Sequence, residues 1–209
     1  MNHRYIAIEG NIGTGKTALA NRIAQVFDKR LILEEFEDNS FLPKFYEHPK
    51  QYAFPLEMSF LAARFNQLKS KLYITDLFTN GIVSDYIFFK CLIFSKVNLD
   101  DDEYDLYIKL FDIINLQLPK PDLLVYLHKP VSKLQENIKK RGRTYENDIT
   151  DDYLKNIQDG YFDYMHKLVD QKILLIDSTE LDFVNNEKDF EFLIQKISED
   201  YPIGINQIK

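Results

Sequence analysis

The segment Gly10-Asn11-Ile12-Gly13-Thr14-Gly15-Lys16-Thr17 constrains this chain more than any other stretch, because it fixes a local structure and a ligand chemistry together. It has the pattern G-x-x-x-x-G-K-[ST] and lies between an apolar run at residues 5–8 and helix-favouring sequence from Ala18 onward. A strand that turns through glycines into a helix aims its backbone N–H groups and the helix N-terminus at one point, where a phosphate is held. Lys16 adds a mobile positive charge there, and the Thr17 hydroxyl is suited to ligate Mg²⁺. A glycine turn with a surface lysine would share the letters but not the flanking strand and helix.

Such a loop belongs in a parallel α/β sheet, and the rest of the chain supplies one. Five apolar runs, at residues 5–8, 31–33, 81–84, 122–127 and 172–176, are continuous rather than alternating, as in strands buried on both faces. The lengths between them suit helical crossovers, so ligands are expected at the strands' carboxyl ends. Residues 55–72 read as one amphipathic helix, with Leu56, Phe60, Leu61, Arg64, Phe65 and Leu68 at helical spacing. A second helix is expected over 104–118, after the acidic turn Asp100-Asp101-Asp102-Glu103, and a third over 133–140. With 209 residues and no internal repeat or linker, one domain spanning 1–209 is expected.

Charge and cysteine content narrow the class of partner. A formal charge of -7 disfavours nucleic acid and anionic membranes. Cys91 is the only cysteine, so no internal disulfide framework forms, and the four histidines lack metal-ligand spacing. No apolar run approaches the roughly 18 residues of a membrane span, and a cytoplasmic location is expected. The guanine-reading Asn-Lys-x-Asp and the switch Asp-x-x-Gly of GTPases are both absent.

Several residues stand where phosphoryl chemistry needs them. Glu34 closes the second strand beside the phosphate loop, where a carboxylate accepts a proton from an attacking hydroxyl; a charged residue at a strand exit would look the same. Asp85 ends the third strand, a position from which an acid holds the water shell of Mg²⁺. Glu57 and Arg64 lie seven apart on one helix face and reach one flat ligand together, or else form an intrahelical ion pair. Arg141 and Arg143, separated by Gly142, are spaced to clamp phosphate oxygens; a basic helix end facing its own dipole is the plainer alternative.

The opening run Ile6-Ala7-Ile8-Glu9 with its loop, the stretch from Leu33-Glu34-Glu35 to Phe45-Tyr46-Glu47-His48-Pro49, and the basic segment 139–146 together resemble the deoxynucleoside kinase family. The resemblance covers essentially the whole chain and is nearest to bacterial deoxyadenosine kinases. It implies a three-layer P-loop kinase fold: a five-stranded parallel sheet with helices on both faces and an arginine-containing lid at about 139–150. It further implies ATP as donor with Mg²⁺, a homodimer packed through helices, and phosphorylation of a purine deoxynucleoside in deoxynucleotide salvage. In that match Glu34 is the catalytic base, Lys16, Arg141 and Arg143 stabilise the transferring phosphoryl, and Tyr46 and Glu146 meet the sugar 3′-hydroxyl. Glu57, Arg64 and Phe94 surround the base, while the loop from Asp177 to Asp182 and Phe183 wraps the donor's adenine.

The chain departs from the family at informative places. Glu57 stands where glutamine is usual; it only accepts hydrogen bonds, which favours the adjacent N1–H and N2–H of guanine, whereas similar bacterial chains suggest deoxyadenosine. Deoxyadenosine is placed first and deoxyguanosine next. Tyr86-Ile87 follows Asp85 where Arg-Ser is usual, so an arginine expected near the phosphate is missing, and the usual base-reading Asp falls on Lys90 or Cys91, neither of which receives a role. Two other readings compete: a thymidylate-kinase-like enzyme, whose Arg-Glu-Pro-Gly-Gly segment is replaced here by the acidic stretch 33–38, and an inactive scaffold of the same fold.

Overall fold

The computed structural model describes residues 3–35, 39–73, 80–146 and 148–208. Residues 36–38 of the acidic stretch and Asn147 of the expected lid lie outside the described residues. The elements run β1 (Tyr5–Gly10), α1 (Lys16–Phe27), β2 (Arg30–Ile32), α2 (Phe41–Glu47), α3 (Pro49–Leu72), β3 (Ile82–Ser84), α4 (Lys90–Asn98) and α5 (Asp101–Asn115). They continue through β4 (Leu123–His128), α6 (Val131–Arg141), a 3₁₀ turn (Thr144–Glu146), α7 (Asp151–Lys167), β5 (Lys172–Asp177), α8 (Glu187–Ser198) and β6 (Gly204–Ile208).

All strand pairings are parallel, in the order β2-β3-β1-β4-β5-β6. Every residue of β1 is buried, and alternate side chains enter opposite layers. Tyr5 and Ala7 join Leu124, Tyr126, Ile173 and Leu175 against α3, α4, α5 and α7. Ile6 and Ile8 join Leu123, Val125, Leu127, Leu174 and Ile176 against α1 and α8. The continuous hydrophobicity of the central runs has this cause: both sheet faces are covered.

The sheet has six strands, which corrects the five expected. The sixth, Gly-Ile-Asn-Gln-Ile, pairs only with β5 and is half-buried, so it carries neither the continuous apolar run nor the composition that marks an interior strand. Helix α3 begins six residues before the expected start, with Pro49 in its first turn. Pro55 lies inside it, at the cost of the one N–H that would pair with the Gln51 carbonyl. Helix α5 starts within the acidic turn, because Asp100 is its cap, accepting from the Glu103 N–H at 3.0 Å. Among the described residues no helix is long and apolar enough to cross a membrane.

Candidate active site

The carboxyl ends of β1, β2 and β3 open into a cavity of about 970 Å³, walled by α2, α3, α4 and the segment after α6. At its floor the phosphate loop turns from β1 into α1. Gly10 is required because a Cβ there would lie 2.6 Å from the Leu127 carbonyl oxygen on β4. Gly15 precedes the helix at φ 95°, a left-handed conformation that glycine adopts without penalty. Asn11 is buried and donates to the Leu154 carbonyl at 2.6 Å, and the Thr14 hydroxyl donates to the Asn11 carbonyl at 2.9 Å, so these two loop side chains hold the loop's shape. Ile12, Gly13, Lys16 and Thr17 line the cavity.

Lys16 donates to the Asn11 carbonyl at 2.8 Å. Burial, with Lys90 nearby, lowers its pKa to about 8, against the opposing pull of Glu9, Glu34 and Asp85. The Thr17 hydroxyl donates to Asp85 Oδ2 at 2.5 Å. A hydroxyl and a carboxylate in contact beside a phosphate-binding loop form an all-oxygen donor set that fits Mg²⁺. Beneath the loop the buried Glu9 accepts from the Ile87 N–H at 2.9 Å and the Tyr161 hydroxyl at 2.8 Å, and burial raises its pKa.

Glu34 stands two residues beyond β2. Its N–H donates to Asp85 Oδ1 at 2.7 Å, tying the strand exit to the Thr17–Asp85 pair. Its carboxylate is gripped from both sides: Arg64 places Nε at 2.8 Å and Nη2 at 2.6 Å from Oε1, and Lys90 places Nζ at 2.6 Å from Oε2. Burial alone would raise its pKa, but Lys90 and Arg64 outweigh burial and hold it at about 2. The carboxylate is therefore ionised at neutral pH, at the cavity end where the phosphate loop opens.

Arg64 also donates to Cys91 Sγ at 3.3 Å. The ion pair that Glu57 and Arg64 were spaced to form does not occur: Arg64 turns to Glu34, and Glu57 Oε1 accepts from Asn98 Nδ2 at 2.6 Å. Glu57 Oε2 is buried without a hydrogen-bond partner among the described residues. Burial raises the Glu57 carboxyl to about 7, with Arg64 and Asn98 opposing the shift. Tyr46 lines the same wall and stacks on Tyr145 with ring centroids 6.0 Å apart.

Helix α6 ends at Arg141, and Gly142 closes it at φ 72°. Arg141 and Arg143 both reach Glu146, Arg141 Nε at 3.0 Å from Oε2 and Arg143 Nη1 at 3.5 Å from Oε1. Glu146 is 7% exposed while the arginines are 36% and 28% exposed, so a buried carboxylate anchors two guanidiniums at the cavity mouth.

The structure thus gathers Lys16, Thr17, Glu34, Tyr46, Glu57, Arg64, Asp85, Phe94, Arg141, Arg143 and Glu146 around one cavity. It does not bring Asp182 or Phe183 there. Phe183 is buried against Gly15 on the α1 side of the loop, and exposed Asp182 accepts from the Asn185 side chain at 3.0 Å. Sequence reasoning missed Lys90 and Asn98. Both lie with Phe94 on one stripe of α4, at spacings of four and eight residues, and that periodicity was the available signal.

The model of the deoxynucleoside kinase family matches residues 6–201. A deoxyguanosine kinase of Bacillus subtilis is 35% identical over 202 residues, covering 93% of this chain and 96% of that protein. A deoxyadenosine kinase of Dictyostelium discoideum is 33% identical, covering 94% of this chain and 79% of its own. Among solved structures, the deoxyadenosine kinase from M. mycoides with bound dATP superposes with a TM-score of 0.81 at 27% identity, covering 94% of this chain and all of that one.

Proposed function

Since the chain belongs to the deoxynucleoside kinase family, a family of phosphotransferases, we propose that its cavity moves the γ-phosphoryl group of ATP to the 5′-hydroxyl of a purine deoxynucleoside. Deoxyguanosine is the preferred acceptor and deoxyadenosine the second. The observation that carries this order is Glu57, a residue of the cavity wall whose buried Oε2 has no hydrogen-bond partner among the described residues, an acceptor that a donor on the ligand would satisfy. Guanine presents N1–H and N2–H side by side to an ionised carboxylate, whereas adenine offers one amino donor beside an acceptor. The order reverses the one drawn from sequence. Deoxyadenosine keeps a specific support, because a carboxyl held at about 7 is half-protonated at neutral pH and then donates as well as accepts.

Glu34, kept ionised by Arg64 and Lys90, takes the hydroxyl proton as the oxygen attacks. Tyr46 and Glu146 flank the sugar. Lys16, the loop N–H groups, Arg141 and Arg143 stabilise the charge that spreads over the transferring phosphoryl. Thr17 and Asp85 would hold Mg²⁺, which neutralises phosphate charge when bound. The concentration of these groups around one cavity argues against an inactive scaffold. Exposed Leu106 and Ile113 on α5 supply apolar surface for the expected homodimer.

The test is a coupled kinase assay with ATP and Mg²⁺ against deoxyguanosine, deoxyadenosine, deoxycytidine, thymidine and thymidine monophosphate. The expected result is the highest kcat/KM for deoxyguanosine, then deoxyadenosine, and no turnover of the monophosphate. A pyrimidine ranked first would overturn the reading of Glu57.

A further inference from the structure

A carboxylate offers about four lone-pair sites, two on each oxygen. In Glu34 both sites of Oε1 are taken by the Arg64 fork, at 2.8 and 2.6 Å. Among the described residues Oε2 accepts from Lys90 alone, at 2.6 Å, which leaves this oxygen one site for a proton. Lys90 is itself 6% exposed and lies over the Phe94 ring with Nζ 5.4 Å from the ring centroid, so its ammonium is desolvated and directed. Residue 86, where the resemblance placed an arginine, contributes nothing to the cavity: Tyr86 is fully buried and its hydroxyl donates to Gln67 Oε1. The chain's second cation at the base comes instead from the first residue of α4.

We propose that Lys90 is the positioning residue of this kinase, holding Glu34 Oε2 as the oxygen that receives the 5′-hydroxyl proton. The proposal rests on the reading of Glu34 as the base. In the step, the O5′–H proton passes to Oε2, a bond forms from O5′ to the γ-phosphorus, and the bond from that phosphorus to the bridging oxygen breaks, releasing the nucleoside diphosphate. Glu34 becomes neutral as it accepts the proton, and its hold on the Lys90 ammonium weakens. Arg64, bound through two nitrogens and packed over Phe60, keeps the carboxyl in place throughout.

The test compares wild type, Lys90→Met, Lys90→Arg, Glu34→Gln and the double variant Glu34→Gln/Lys90→Met in steady-state kinetics with the best deoxynucleoside. Thermal melting and ATP binding by calorimetry check that each variant is folded. Lys90→Met is expected to lower kcat by about a hundredfold or more, in the range of general-base effects, with KM for the deoxynucleoside within about threefold. Lys90→Arg should recover at least about tenfold over Lys90→Met. On the Glu34→Gln background, Lys90→Met should cost almost nothing further, because its partner is already gone. Equal kcat in Lys90→Met and wild type, a purely KM effect, or additive losses in the double variant would each overturn the proposal. If Lys90→Met does not fold, Lys90→Gln carries the same comparisons. Near-normal turnover in Glu34→Gln would instead remove the base assignment, and with it the role of Lys90.

Discussion

At the phosphate end of the cavity the ligand-facing groups are largely backbone N–H groups ordered by glycines, with Lys16 and Thr17 beside them; at the base end they are buried side chains that hold one another. Gly10 fixes the first arrangement through its close approach to Leu127 of β4, and Gly15 through a left-handed turn within the eight-residue loop. The second arrangement draws Glu57 and Arg64 from α3 and Cys91 and Asn98 from α4, and through Arg64 and Lys90 it reaches Glu34 at the phosphate end. A backbone site has one solution, whereas a network of side-chain charges has several that conserve its balance. Here an acid stands at 57 and a lysine at 90, where the resemblance expects glutamine at the first and an arginine after Asp85 instead. On the proposed function, phosphate handling follows from the loop pattern and base selectivity from where the buried charges sit.

The largest effect belongs to the phosphate end. Lys16→Ala removes the loop's only side-chain cation, and its loss should lower kcat/KM by on the order of a thousandfold for every deoxynucleoside alike. The ratio between deoxyguanosine and deoxyadenosine should not move, because the role proposed for Lys16 is on the phosphate and not on the base. A changed purine ratio in steady-state kinetics would mean that the two ends are coupled and that the division just drawn is wrong.

The complementary change is Glu57→Gln. It replaces two acceptors by one donor and one acceptor, so the preference for deoxyguanosine over deoxyadenosine should fall by about tenfold to a hundredfold, as expected for one buried hydrogen bond worth roughly 1–3 kcal/mol. Wild type should also show a pH-dependent ratio. The Glu57 carboxyl is held at about 7, so it is mostly protonated at pH 6 and mostly ionised at pH 8. Deoxyguanosine, which needs the ionised form, should gain at least roughly tenfold on deoxyadenosine across that interval. Measured as the ratio of kcat/KM values, the trend should vanish in Glu57→Gln; a trend that persists would assign it to another group.

How much of this was legible in the sequence follows the same division. The phosphate loop, its flanking strand and helix, and strands β1 to β5 were readable because each is a local pattern: glycine spacing, or a continuous apolar run. Strand β6 was not, since Asn206 and Gln207 interrupt its apolar residues and it is the half-buried edge strand beside β5. Glu34, Asp85, Arg141 and Arg143 were picked out by position at strand and helix ends, and all four line the cavity. The partners of Arg64 were not, because an ion pair across α3 and the β2 exit has no sequence spacing to betray it, whereas the pair with Glu57 did. Phe183 was placed with the loop that resembles the wrap around the donor's adenine, and its ring packs against Gly15 within the core.

The smallest expected effect concerns Tyr86, which looks from sequence like the site's main defect. Its hydroxyl donates to Gln67 Oε1, and Gln67 Nε2 in turn donates to the Leu33 carbonyl at 3.0 Å, one residue before the base. Tyr86 thus reaches the site only through packing and through the amide that steadies the β2 exit. Tyr86→Phe leaves Gln67 its bond to Leu33 and deletes one hydroxyl within a buried pair, a loss of about 1–2 kcal/mol. For a chain of this size that lowers Tm by roughly 3–6 °C, with kcat and kcat/KM within about twofold of wild type. Calorimetry and kinetics on one preparation separate the outcomes. Lost stability with retained turnover places residue 86 in the core and leaves the cationic duty to α4; a large fall in kcat at unchanged Tm would give Tyr86 a share in positioning Glu34 that its buried ring and single hydrogen bond do not otherwise suggest.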